Sequence, residues 1–230
     1  MSSKDNSNKK TKKRKHNPFR YFFFDFVKWT GAPSVLFWLR LKTLYESKAA
    51  KKHIRGGAVV VANHTGFADP ITLYNTFWYR RPHIIAMREL FNTKLSNWFF
   101  RNMWCIPVDR DNFNMETYRA SVDALTDGKI LCFFPEGAIN RDNKTVQSFK
   151  SGAVLMALKG GVPILPVYIV PHTKWYHRYI TVVGEPININ ELTGGKPNLN
   201  TIDAVSEKIR EKEMKLREVY EVWKHKKSSK

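Results

Sequence analysis

The sequence predicts an α/β protein. It reads as a single domain with a central, mostly parallel sheet flanked by helices, preceded by an N-terminal two-helix motif seated at a membrane interface. Three observations predict this. Short apolar, β-compatible runs recur, among them Ala58-Val59-Val60-Val61-Ala62, Leu131-Cys132-Phe133-Phe134 and Pro163 to Val170. Longer stretches of helical character lie between them, so strand and helix alternate, the order that a parallel sheet requires for its crossovers. With 230 residues, 43% of them apolar, the chain is large enough for one well-buried core.

The elements follow in order. Residues 1–17 are a polar, basic tail expected to lack structure. Residues 18–47 are expected as a pair of short helices divided by Gly31 and Pro33. Residues 48–225 form the main domain. A strand near 58–62 ends at the polar break Asn63-His64. A helix near 70–78 opens at Asp69-Pro70: Asp is a favoured N-cap, and Pro at the first helical position loses no needed N–H. A strand near 83–87 and helical residues near 93–101 come next. They are followed by a short strand near 104–108, a helix near 114–126 and a strand near 129–134. Phe149-Lys150-Ser151-Gly152-Ala153 opens a helix over about 149–159. In the strand near 163–170, Pro163 and Pro166 limit ladder bonding to one side or to an edge. A strand near 179–183, a loop over 196–200 and a charged helix near 201–224 complete the domain, and 226–230 is a basic tail. No internal repeat is visible.

Charge narrows the partners. Net charge is +19, from 39 basic and 20 acidic residues. Residues 1–20 hold eight Lys/Arg against Asp5 alone, and residues 224–230 add four lysines. Basic tails suit anionic lipid or nucleic acid, or are simply solvated. The segment Asn17 to Glu46 favours lipid. It carries Phe19, Phe22, Phe23, Phe24, Phe26, Trp29, Phe37 and Trp38 among Arg20, Asp25, Lys28 and Arg40. Its longest uncharged run, Trp29 to Leu39, is 11 residues, well short of the roughly 20 needed to cross a bilayer as a helix. Short aromatic helices with basic flanks suit the headgroup boundary. The charge interruptions and the missing small-residue cleavage site argue against a signal peptide. The aromatics are not spread on a basic strand face, so no nucleic-acid partner is expected. Cys105 and Cys132 lie in apolar segments and read as reduced core thiols, and no Cys/His cluster has metal-ligand spacing, so no metal is expected.

Three strand ends and one helix start carry candidate chemistry. NHTGFADP, Asn63 to Pro70, sets His64 and Asp69 five positions apart, joined by a loop short enough to fold the carboxylate back onto the imidazole. Such a pair is a general base with an orienting carboxylate. The same spacing also arises when Asp only caps a helix and His only bonds its loop. Cys105 to Arg110 ends a strand at Asp109-Arg110, and the Arg110 fork suits a phosphate. Phe134-Pro135-Glu136-Gly137, with Arg141 four residues on, delivers a carboxylate and a permissive glycine into a loop. Lys150, or N–H groups at the start of its helix, suits an anion.

In this order, NHTGFADP, IPVDR, FPEG, FKSGA and VPILPV resemble the glycerolipid acyltransferase family, which includes the 1-acyl-glycerol-3-phosphate (lysophosphatidic acid) acyltransferases. The resemblance runs from about Gly57 to Pro186, and the N-terminal helices look like the membrane-seated two-helix motif of bacterial members. It implies that His64 is the general base and Asp69 its partner, that Asn63 belongs to the site, that Arg110 binds the acceptor phosphate, and that Glu136 and Gly137 help hold the acceptor. Arg141 and Lys150 are further phosphate candidates. The sequence departs from the family pattern twice. Trp104 stands where the second block often has glycine, and Ala138-Ile139-Asn140-Arg141 follows Gly137 where Thr-Arg is usual. The implied activity is direct acyl transfer from acyl-CoA or acyl carrier protein to the hydroxyl of 1-acyl-glycerol-3-phosphate, giving phosphatidic acid, with no cofactor. The same chemistry on glycerol 3-phosphate, a lysophospholipid or an acylated amino acid stays open, as does a non-catalytic lipid-binding relative. The expected location is peripheral, on the cytoplasmic face of the cell membrane.

Overall fold

The computed structural model of the chain describes residues 21–109, 114–137, 139, 151–171, 178–193 and 198–229. The expected tail over 1–17 lies outside them. Seven strands form one sheet: β1 (Lys42–Tyr45), β2 (Ala58–Ala62), β3 (His83–Met87), β4 (Ile106–Val108), β5 (Ile130–Phe133), β6 (Ile164–Ile169) and β7 (Ile180–Val183). The helices are α1 (Phe22–Leu39), α2 (Asp69–Thr76), α3 (Lys94–Asn102), α4 (Met115–Thr126), α5 (Gly152–Gly160), α6 (Ile189–Thr193) and α7 (Leu199–Ser228).

The sheet order is β1-β7-β6-β2-β5-β3-β4. β2 is central and pairs parallel with β5 and β6, and β3 runs parallel to β5 and β4. β7 runs antiparallel to β6, and β1 parallel to β7. The sheet is thus mostly parallel, as expected, with a reversed pair at one edge.

Covering on both faces explains why β2 is apolar throughout. Val59 and Val61 face one cluster, filled by Met156 and Ala157 of α5 and by Ile202, Val205 and Ile209 of α7. Val60 and Ala62 face the other, filled by Leu73 and Phe77 near α2. Leu73 is fully buried, so truncating it to Ala would cost about 2–5 kcal/mol.

Two expectations are corrected, and a third is narrowed. The N-terminal pair is one 18-residue helix, α1, which runs through Gly31 and Pro33. Proline's fixed φ suits a helix, and its cost is mainly one missing backbone bond and local crowding. The expected second helix ends early: Arg40 turns the chain at φ 47, and Lys42–Tyr45 then pairs with Ile180–Val183. Of the two outcomes expected for Pro166 the structure takes the first: β6 lies between β7 and β2, and the ladder is limited on one side only, at Pro166. It is accommodated where β7 leaves: pairing covers Val167–Ile169, and the Pro166 carbonyl still accepts from Gly184 N–H at 2.9 Å. At the other end, the basic residues expected as a tail continue α7 to Ser228.

α1 docks by its first turns. Phe24 packs edge-on against Tyr74 of α2, Phe23 against Trp98 and Phe99 of α3, and Asp25 accepts two bonds from Arg81. Lys28 donates to the Trp78 carbonyl. Trp104, at φ 61, lies between Tyr21 and His83. That left-handed backbone favours glycine, which gives a physical reason for the residue usual at this place. Here the ring adds packing that glycine lacks.

Candidate active site

β2 delivers Asn63 and His64 to the C-terminal edge of the sheet, where open α/β folds place their ligands. α2 begins five residues later, with Ala68 at its N-cap position, Asp69 first and Pro70 second. The expectation that Asp69 caps the helix is therefore corrected. Its carboxylate turns back into the loop. His64 Nδ1 donates to Asp69 Oδ2 at 2.8 Å. The backbone N–H groups of Thr65 and Gly66 reach the same oxygen at 2.5 and 2.8 Å. The Thr65 hydroxyl donates to Oδ1 at 3.1 Å. Asp69 is fully buried, and these donors are what make a buried carboxylate tolerable.

This geometry fixes the chemistry of the ring. A carboxylate only accepts, so Nδ1 carries the proton and Nε2 has a free lone pair. The ring stacks on Phe134, with centroids 4.4 Å apart, and remains partly exposed. An oriented imidazole with one accessible basic nitrogen can take a proton from a hydroxyl. Thr65 N–H and Gly66 N–H are already committed to Asp69, so they are not the donors for an oxyanion.

The predicted residues divide into four groups. His64 and Asp69 are brought together. Asn63 is adjacent but spent otherwise: its Nδ2 donates to the Ile169 carbonyl at 2.9 Å, and its Oδ1 accepts from Ile169 N–H at 2.7 Å. It braces the ends of β2 and β6, and its expected contact with the substrate is corrected to that role. Glu136 and Gly137 follow β5, beside β2, with Gly137 at φ 69 and its N–H bonded to the Phe134 carbonyl at 3.1 Å. The Glu136 side chain is buried under this turn. Arg110, Arg141 and Lys150 lie outside the described residues. Asp109 forms an ion pair with Arg88, with Nε to Oδ1 at 2.7 Å.

Sequence reasoning missed three participants. Thr65 supplies two donors to Asp69, and the H-x-x-x-x-D spacing, which forces a tight return, was the signal for it. Phe134 is the plate under the imidazole, and its place at the end of β5 next to β2 predicts this once pairing is known. The phenol of Tyr179 is held above its ordinary range by burial and then by the charge of Asp69, which puts it close to the dyad. A fourth group lies behind the site. Glu213 of α7 is fully buried; burial first and Glu136 second raise its carboxyl well above the ordinary range, against the opposing pull of the Asn63 main chain and Arg210. Nothing in the pattern of α7 announces it.

Burial pushes the Cys105 thiol up to about 11, so it stays protonated and inert, and Cys132 is shifted further the same way. Among the described residues, no group of three or more His, Cys, Asp or Glu could hold a metal ion. Among them, too, no helix is long and apolar enough to cross a membrane.

Comparison with known proteins adds to this geometry. A family model described as Acyltransferase matches residues 43–170. The chain is 31% identical to a 1-acyl-sn-glycerol-3-phosphate acyltransferase of Bacillus subtilis (strain 168), over 48% of this chain and 54% of that protein. It is 30% identical to the putative 1-acyl-sn-glycerol-3-phosphate acyltransferase acl-2 of Caenorhabditis elegans, over 80% of this chain and 63% of that protein. The chain thus spans between half and two thirds of the length of these relatives. The crystal structure of the 1-acyl-sn-glycerophosphate (LPA) acyltransferase PlsC from Thermotoga maritima superposes with a TM-score of 0.59, covering 88% of this chain and 94% of that one at 21% identity. At that identity the likeness shows the fold.

Proposed function

The chain belongs to the acyltransferase family, and from that premise we propose that it moves a fatty acyl group from an acyl thioester to the hydroxyl of 1-acyl-glycerol-3-phosphate, giving phosphatidic acid. The observation that carries this reading is the His64–Asp69 pair at the end of the central strand. As the acceptor oxygen attacks the thioester carbonyl, its proton passes to His64 Nε2. The new ester bond forms, the carbon–sulfur bond breaks, and the thiol of CoA or acyl carrier protein leaves with a proton. Asp69 holds the tautomer and offsets the charge on the imidazolium. General-base help of this kind is worth about 100- to 10,000-fold.

Arg110 is the proposed phosphate ligand, with Arg141 and Lys150 as further candidates; each would orient the acceptor so that its hydroxyl meets the imidazole. Gly137 and the turn it closes shape the wall on the β5 side, with Glu136 beneath. The reaction needs no cofactor in this scheme. The substrate is a lipid, and α1 carries exposed Phe26, Trp29, Phe37 and Trp38, so the chain is proposed to work as a peripheral protein on an anionic membrane surface, on the cytoplasmic side. The altered stretch Ala138-Ile139-Asn140-Arg141 favours a second acceptor as the competing reading.

A thiol-release assay with acyl-CoA and acyl carrier protein donors against a panel of acceptors tests the proposal. Lysophosphatidic acid should support turnover and His64→Ala should abolish it while the chain still melts in one cooperative transition. Undiminished turnover in His64→Ala would remove the base from the mechanism.

A further inference from the structure

We propose that α3 is a second lipid-contacting helix, and that α1 and α3 present one shared aromatic face to an anionic bilayer. The inference rests on the membrane-seated reading above and adds a surface to it. α3 is an amphipathic helix facing the wrong way for a water-soluble domain. Leu95, Trp98 and Phe99 fall at i, i+3 and i+4, so they share one side. That side should face a core, yet Leu95 is 75% exposed and Trp98 51%. None of the nine residues of α3 is buried.

The face is continuous with α1. Phe23 packs edge-on against both Trp98 and Phe99, with centroids 4.6 and 5.9 Å away, and so joins the two helices. Beside it on α1, Phe22 is 67% exposed and Phe26 54%. Exposed apolar faces of this kind call for a covering partner. The chemistry favours lipid. Tryptophan and phenylalanine suit the headgroup boundary, and exposed Lys94 and Arg101 stand at the two ends of α3, placed for anionic headgroups. Position agrees: α3 follows β3 at the sheet edge to which the parallel β2 also brings His64. The expected interfacial pair is therefore rebuilt from two elements far apart in sequence, one on each side of β1, β2 and β3.

The test uses the full chain, Leu95→Gln/Trp98→Gln and Trp98→Phe, with vesicles of phosphatidylglycerol and phosphatidylcholine. Leu95 projects from the domain and Trp98 loses only its edge contact with Phe23, so the double variant should stay folded and melt within about 5 °C of the wild type, while its vesicle partition should fall by about tenfold or more. Trp98→Phe should keep partition, and its fluorescence should be quenched less by brominated lipid than the wild type's. Wild-type partition in the double variant overturns the inference while leaving the membrane-seated reading standing. Failure of the wild type to bind vesicles at all defeats both. A lipid-free dimer that the double variant converts to monomer identifies a second copy as the partner and also overturns it.

Discussion

Replacing Asp69 by Asn and by Ala separates what its charge does from what its shape does. In the wild type, Oδ2 accepts from three donors, His64 Nδ1, Thr65 N–H and Gly66 N–H, while among the described residues Oδ1 accepts only from the Thr65 hydroxyl. An Asn carbonyl oxygen can take the place of Oδ2 and keep all three. Its NH2 then meets a hydroxyl that can turn to accept. Loop and tautomer survive, and only the charge behind the imidazolium is lost. A charge-assisted bond exceeds a neutral one by about 1–2 kcal/mol, so kcat should fall about 5- to 30-fold in Asp69→Asn. Asp69→Ala removes the acceptor altogether. Two backbone N–H groups facing a fully buried site are then orphaned, at about 1–3 kcal/mol each, and kcat should fall about 100- to 10,000-fold. Thiol release on lysophosphatidic acid gives kcat, and urea unfolding gives the stability loss. A wild-type rate in Asp69→Asn, or wild-type stability in Asp69→Ala, refutes the reasoning.

Three further outcomes follow from the packing around the site. Glu213→Gln should stabilise the fold increasingly as pH rises. The folded Glu213 carboxyl is raised above its ordinary 4.5, so the native state keeps a proton that the unfolded chain releases. Its contribution is complete below that value and drains away above it, at up to about 1.4 kcal/mol per pH unit. Melts from pH 4 to pH 8 should show the gap over wild type opening with pH, and a constant gap would rule this out. Asn63→Ala should cost about 2–4 kcal/mol in urea unfolding by orphaning Ile169 N–H and C=O, and should also lower kcat because His64 is its neighbour. Unchanged stability would show that the brace is dispensable. Deleting residues 1–46 should lower the melting temperature further than deleting 1–40, because only the longer cut strips Lys42–Tyr45 from β7; equal melting temperatures would contradict the pairing.

The buried strands and the dyad were legible because their signals are local. Ala58–Ala62 is a continuous apolar run and ends at a polar break, and H-x-x-x-x-D fits one tight loop. Strand β1 was not legible. Lys-Thr-Leu-Tyr is half-buried at an edge, and its partner Ile180–Val183 lies far away in sequence. α1 was misdivided because Gly and Pro lower helix propensity without forbidding a helix. Asn63 and Glu213 could not be read because their roles depend on which strand end stands beside which. The partner of Asn63 is 106 residues away, and Glu213 arrives on α7, beyond the stretch that matches the family.

The corner at Arg40 has a mechanical consequence. α1 ends there, the Leu39 carbonyl accepts from Tyr179 N–H at 3.1 Å, and the next residues are already stitched into the sheet as β1. Tyr179 in turn lies within the field of Asp69. Helix and sheet edge are thus joined directly, and the residue that takes the Leu39 carbonyl stands close to the His64–Asp69 pair. Under the proposed seat on a bilayer, α1 and the sheet edge would move as one body, so the depth at which α1 rests would also set the height of the imidazole above the membrane.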